Sequence, residues 1–106
     1  MTKTNIMENI KNIFDQLNIK EHSHLFEIIQ SNSFDEIIFH EQKIGDIWVC
    51  IEFKVTGRYD ANYKFHLDDV SVITFELWLN DEDQEKISNK EYEYLEKKLT
   101  QLVKNI

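Results

Sequence analysis

Apolar and polar residues alternate with a period of two from Ile47 to Leu79, the pattern of half-buried β-strands. Ile47, Val49, Ile51, Phe53 and Val55 take the odd positions, with Glu52, Lys54 and Thr56 between them. The same parity returns in Tyr59, Ala61, Tyr63, Phe65 and Leu67, and again in Ile73, Phe75, Leu77 and Leu79. Gly57-Arg58 and Asp68-Asp69 interrupt the pattern, so the spacing predicts a meander of strands 47–56, 59–67 and 70–79 with turns at those two pairs. A slip of one residue would turn a whole apolar set toward water, so odd residues are expected opposite odd ones, Phe53 near Tyr63 and Phe65 near Ile73. Upstream, residues 35–43 hold Ile37, Ile38 and Phe39 and lead into Gly45-Asp46, a turn pair suited to a hairpin. This segment is predicted as an edge strand, with Glu36, His40, Glu41 and Lys43 as polar residues that discourage further pairing.

Helical spacing flanks the sheet. Ile6, Ile10, Ile13, Phe14 and Leu17 form one apolar stripe, predicting a helix from Asn5 to Leu17. Leu25, Phe26, Ile28 and Ile29 predict a second from Lys20 to Gln30, stopped by Ser31-Asn32-Ser33. The last helix starts at Ser88, which has capping-box spacing to Glu91, and carries Tyr92, Leu95, Leu99, Leu102, Val103 and Ile106 on one face. The expected architecture is a small single α+β domain over residues 1–106, a four-stranded antiparallel meander packed by two N-terminal helices and one C-terminal helix, ααββββα.

Composition narrows the class. A chain of 106 residues with 42% hydrophobic and 30% charged residues is sized for one core, and seven Phe, four Tyr and two Trp argue against disorder. The single cysteine, Cys50, allows no internal disulfide, which suits a reducing compartment. The N-terminus lacks the apolar stretch of a signal peptide and no apolar run approaches the roughly 18 residues of a spanning helix. The expectation is a cytoplasmic protein without membrane contact.

Motifs for catalysis or cofactors are not found. His22 and His24, two residues apart on a helix, point about 200° from each other and cannot readily share an ion. His40, His66 and Cys50 show no zinc spacing, and the acidic stretch 80–85 lacks the glycine and terminal glutamate of a calcium loop. The two glycines, Gly45 and Gly57, are too few for a phosphate loop. Cys50 lies on the face opposite the odd residues, where a half-buried inert thiol is expected, and no carboxylate pair sits in apolar surroundings. The reading is therefore non-enzymatic, with no catalytic residue, no cofactor and no metal.

Two features exceed background. Between Asp68 and Glu96 ten acids face two lysines, a local balance equal to the −8 of the whole chain. Such a surface attracts a basic protein and repels nucleic acid, so direct DNA or RNA binding is not expected. The second feature is the even face of the sheet, where Trp48 and Trp78 break the polar alternation and could join Cys50, Val70 and Val72. Either helices cover this face in a wrapped core, or the tryptophans anchor a partner. The expected function is an acidic protein-binding module that occupies a basic surface of a nucleic-acid enzyme, as phage anti-CRISPR or anti-restriction inhibitors of nucleases do. Asp81, Glu82, Asp83 and Glu85 would supply charge, with Trp78 and Trp48 as anchors. A toxin-neutralising immunity protein is the alternative in the same physical class, and a homodimeric accessory protein the alternative from another.

Overall fold

The structure is a computed structural model and describes residues 10–29, 31–79, 82–83 and 88–106, with the side chains of residues 79, 82 and 83 left aside. Three long antiparallel strands dominate it: β1 (Ser33–Ile44), β2 (Ile47–Tyr59) and β3 (Phe65–Leu79). A two-residue strand, β4 (Glu82–Asp83), pairs with the end of β3 at Trp78 and Leu79. Helix α1 contains residues 10–15, a 3-10 segment spans Lys20–Phe26, and helix α2 spans Asn89–Lys104. The N-terminal half of the predicted first helix lies outside the described residues.

The α+β class holds, but the four-strand meander does not: the sheet is three-stranded along nearly its whole length. Gly57-Arg58 is no turn. Both residues lie inside β2, where the missing side chain of Gly57 lets the Phe65 ring of β3 close down on the backbone. Asp68-Asp69 is no turn either. Thr56 pairs with Asp69 and Gly57 with Leu67, so Asp68 is an extra residue bulged out of β3. A second bulge at Ile73 separates the pairs Phe53↔Val72 and Glu52↔Thr74. Each bulge shifts parity by one, so β3 turns Leu67, then Val70 and Val72, then Phe75 and Leu77 toward the same side. The expected pairs Phe53–Tyr63 and Phe65–Ile73 are replaced by Phe53↔Val72 and Tyr59↔Phe65, and Ile73 is left exposed. The fifteen residues of β3, at roughly 3.3 Å each, account for the long axis of 52 Å in a molecule only 24 by 19 Å across.

Gly45 at φ +62° and Asp46 form the two-residue hairpin loop between β1 and β2, with glycine at the first loop position as a type II′ turn favours. The β2–β3 loop is held by one carboxylate. Asp60 Oδ1 accepts from the backbone N–H of Asn62 (2.8 Å) and Lys64 (3.0 Å), while Oδ2 lies 2.8 Å from His66 Nε2. These contacts secure a loop in which Tyr63 takes the left-handed φ of +62°. The His66 hydrogen bond, then the two amides, hold the Asp60 carboxyl down at about 2. A carboxyl depressed below its unfolded value of about 3.9 favours the folded state above that value, and the contribution disappears as pH falls toward 2. The Asp60 carboxyl resonance should accordingly titrate with a midpoint near 2, and a midpoint near 4 would show that the clasp does not form in solution.

All described helical segments lie on one face of the sheet. Phe14 of α1 packs edge-on against Phe75 at 5.4 Å and stacks on Tyr94 of α2 at 6.2 Å. Leu95, Leu99 and Val103 of α2 are buried against the sheet, and Ser88 caps that helix with the predicted box: its side chain accepts from Glu91 N–H and the Glu91 carboxylate accepts from Ser88 N–H. The second helix is shorter than the predicted Lys20–Gln30 and is a 3-10 turn pair. It delivers Phe26 to a cluster with Phe34, Tyr59 and Phe65, and Tyr59 Oη donates to Phe26 C=O at 2.8 Å. The domain therefore has two layers among the described residues, and the wrapped, three-layer core is not observed.

Candidate functional site

Among the described residues the helices lie on one side only, and the other face of the sheet is open. Ile37 is 58% exposed, Phe39 55%, Trp48 47% and Ile73 47%. Apolar side chains of this size would be buried if a layer covered them; the register sets Trp48 beside Trp78 as an apolar patch of the kind that marks contact surfaces, while Ile37 and Phe39 stand opposite Lys54 and Glu52. Val70 and Val72 do not belong to it, because the bulge at Ile73 turns both toward the core.

Register defines the geometry of the patch. Trp48 pairs directly with Trp78, with Lys43 beyond Trp48 on β1 and Asp83 beyond Trp78 on β4, so one row crosses all four strands. The next row is Glu41, Cys50 and Glu76. Glu41, Trp48, Cys50 and Trp78 line a shallow depression of about 240 Å³. Glu76 Oε2 accepts from the Trp78 indole N–H at 2.9 Å, which fixes that ring in the row. Partial burial, followed by the two flanking carboxylates, pushes the Cys50 thiol up, so this cysteine is held protonated rather than activated.

The acidic stretch falls partly outside what is described. Asp81 and Glu85 lie outside the described residues, and for Glu82 and Asp83 the backbone alone is described, beside Leu79 and Trp78. Two other carboxylates of the acidic half serve the fold: Glu91 closes the helix cap and Glu96 Oε2 accepts from Val72 N–H at 2.8 Å, where the ladder is interrupted by the neighbouring bulge. Arg58, Lys64 and Lys104 line a cleft of about 620 Å³ with Phe65, Leu67 and Ile106.

A histidine cluster sits on the covered face, and sequence spacing does not show it. His40, expected among surface polar residues, is fully buried, because the even positions of β1, with Phe34, Ile38 and Ile44, face the core. Its Nδ1 lies 2.9 Å from His22 Nε2 and 3.2 Å from Glu21 Oε1, and His22 Nε2 lies 3.9 Å from the same carboxylate oxygen. His24 is turned away from the cluster, its Nδ1 at 3.1 Å from Glu21 C=O. Burial, and then the neighbouring His40, lower the pKa of His22. Glu21, His22 and His40 are the one set of three such side chains, among the described residues, placed to share a metal ion. No known protein family, no curated protein and no solved structure matches the chain.

Proposed function

We propose that this protein is a non-enzymatic binding module that docks on a basic protein partner through the open face of its sheet. The observation that carries the reading is the Trp48–Trp78 pair, with Trp48 exposed and Trp78 partly exposed, set beside Glu41 and Glu76. Tryptophans in the middle of a contact supply much of its energy, while carboxylates at the rim speed encounter with positive charge and select against negative surfaces. The acidic run Asp81, Glu82, Asp83 and Glu85 adjoins this row in sequence and adds negative charge to this part of the chain. A partner that normally holds phosphates, such as a nuclease, offers the complementary surface, so inhibition of a cytoplasmic nucleic-acid enzyme is the activity this chemistry suits. A basic toxin would present the same surface.

A second reading is supported by β1, a twelve-residue edge strand with no partner on its outer side among the described residues and with Ile37 and Phe39 exposed. Such an edge is a template for pairing with another copy. One experiment separates the two. The tagged chain is used to capture partners from host lysate at about 50 and 300 mM salt, the range over which exposed charge pairs are screened, while its own mass is measured in solution. Under the first reading a partner is lost at high salt and on Trp48→Ala, and the chain alone is a monomer. A dimer that ignores salt and dissociates on Phe39→Lys would replace the partner-docking reading with the self-pairing one.

A further inference from the structure

We infer that Glu21, His22 and His40 form a binding site for a zinc-type divalent cation, one that clasps the 3-10 segment to strand β1. The three ligand atoms, His22 Nε2, His40 Nδ1 and Glu21 Oε1, make a triangle with sides of 2.9, 3.2 and 3.9 Å. The circle through three such points has a radius of about 2.0 Å, so a point exists at the 2.0–2.2 Å that zinc keeps from imidazole nitrogen and carboxylate oxygen. That point lies close to the plane of the three atoms, and a tetrahedral ion keeps its ligand atoms roughly 3.4 Å apart, so on binding the two imidazoles separate slightly and the exposed Glu21 carboxylate closes toward His22.

The surrounding hydrogen bonds prepare one of these atoms. Gln42 is oriented without ambiguity: its Oε1 accepts from Asn18 N–H at 3.0 Å and its Nε2 donates to Gln16 C=O at 3.0 Å. That same Oε1 lies 3.0 Å from His40 Nε2, so this nitrogen must carry the hydrogen. In the neutral ring the lone pair is then on Nδ1, aimed at His22 and Glu21. A ligating histidine whose other nitrogen donates to a fixed acceptor is the arrangement that orients metal-binding imidazoles. Without a cation this lone pair accepts from His22 Nε2–H and faces the Glu21 carboxylate oxygen at 3.2 Å with no hydrogen between them, whereas a cation inside the triangle serves all three atoms.

Two imidazoles and one carboxylate with no thiolate suit a borderline cation such as zinc, and three protein ligands leave a fourth position. The exposed Glu21 side chain puts that position on the solvent side, while His40 is closed off inside the core. Glu21 and His22 come from the 3-10 segment and His40 from β1, so a bound ion would hold the two elements together.

The test is a titration of the full chain with zinc chloride against a chromophoric chelator, repeated for variants. The expected result is one equivalent bound by the natural chain. Removing a group that merely hydrogen-bonds to a ligand typically weakens metal sites 10–100-fold, so removing a ligand itself, in His22→Ala, should weaken binding by at least about 100-fold, with Glu21→Gln also weakened. His24→Ala should leave affinity unchanged. On the unaltered chain, imidazole nitrogen NMR should shift His22 at Nε2 and His40 at Nδ1 on zinc addition, which keeps the test independent of whether variants fold. Absence of saturable binding, shifts at the opposite ring nitrogens, or affinity that survives His22→Ala and falls with His24→Ala would each overturn the site.

Discussion

Phe53→Ala is expected to lower the unfolding free energy by about 4 kcal/mol, within the range for emptying a buried aromatic site. Phe53 lies in the central strand, fully buried, between Ile38 of β1 and Val72 of β3. Its neighbours cannot close the gap, because both flanking strands are held in register by their own ladders and α2 packs on β3. A domain of this size is typically stable by roughly 5–15 kcal/mol, so the loss is a large part of the whole. Urea denaturation should show the midpoint falling with the slope unchanged. Phe39→Ala is the matched comparison. Phe39 is also a strand phenylalanine but is 55% exposed on the open face, and its replacement should change stability by no more than about 0.5 kcal/mol. Equal costs at the two positions would mean that both faces of the sheet are covered, and the candidate docking surface would be lost with that result.

Gly57→Ala is expected to cost about 3 kcal/mol, at the upper end for overpacking. An added Cβ would stand 2.5 Å from Phe65 Cε1 and 2.6 Å from the backbone carbonyl oxygen of His66. Neither can withdraw. Phe65 is wedged among Phe26, Phe34 and Tyr59, with ring centroids 5.1 to 5.5 Å away, and the His66 carbonyl belongs to the strand paired with β2. The cost comes from contact, not from backbone conformation. Gly45→Ala supplies the contrast: Gly45 has open space where a Cβ would stand but takes φ +62°, so alanine there should cost only the left-handed penalty of about 1 kcal/mol. Denaturation curves that rank Gly45→Ala above Gly57→Ala would show that β3 does not cross Gly57 as described.

Features governed by near neighbours in the chain are legible in the sequence itself. The Gly45-Asp46 hairpin needs only a residue that accepts positive φ, and the Ser88–Glu91 box needs only two side chains three residues apart. The placement of Trp48 and Trp78 on one face likewise follows from even parity in two strands. The strand count is not legible in this way, because Gly57-Arg58 and Asp68-Asp69 have the composition of turns. What makes them interior to strands is a ring on one side and an unpaired bulge on the other, and both depend on where β3 lies against β2. Strict alternation would put Val70 and Val72 beside the tryptophans, and it fails there for the same reason, since a bulge inverts every position beyond it.

The histidine cluster marks the same boundary. Glu21 and His22 are adjacent in sequence, but His40 is eighteen residues from His22 and reaches it only when the 3-10 segment folds back over β1. A sequence signal for the burial of His40 does exist, in the apolar even positions around it, but nothing local marks its partner. The chain alone therefore determined an α+β domain, its hairpin, its capped final helix and the tryptophan face, since each follows from steric and hydrogen-bonding preferences within a few residues. Tertiary packing decided the number of strands, the inversion of parity along β3, which face stays open and which titratable groups meet, because contacts between distant segments set each of these.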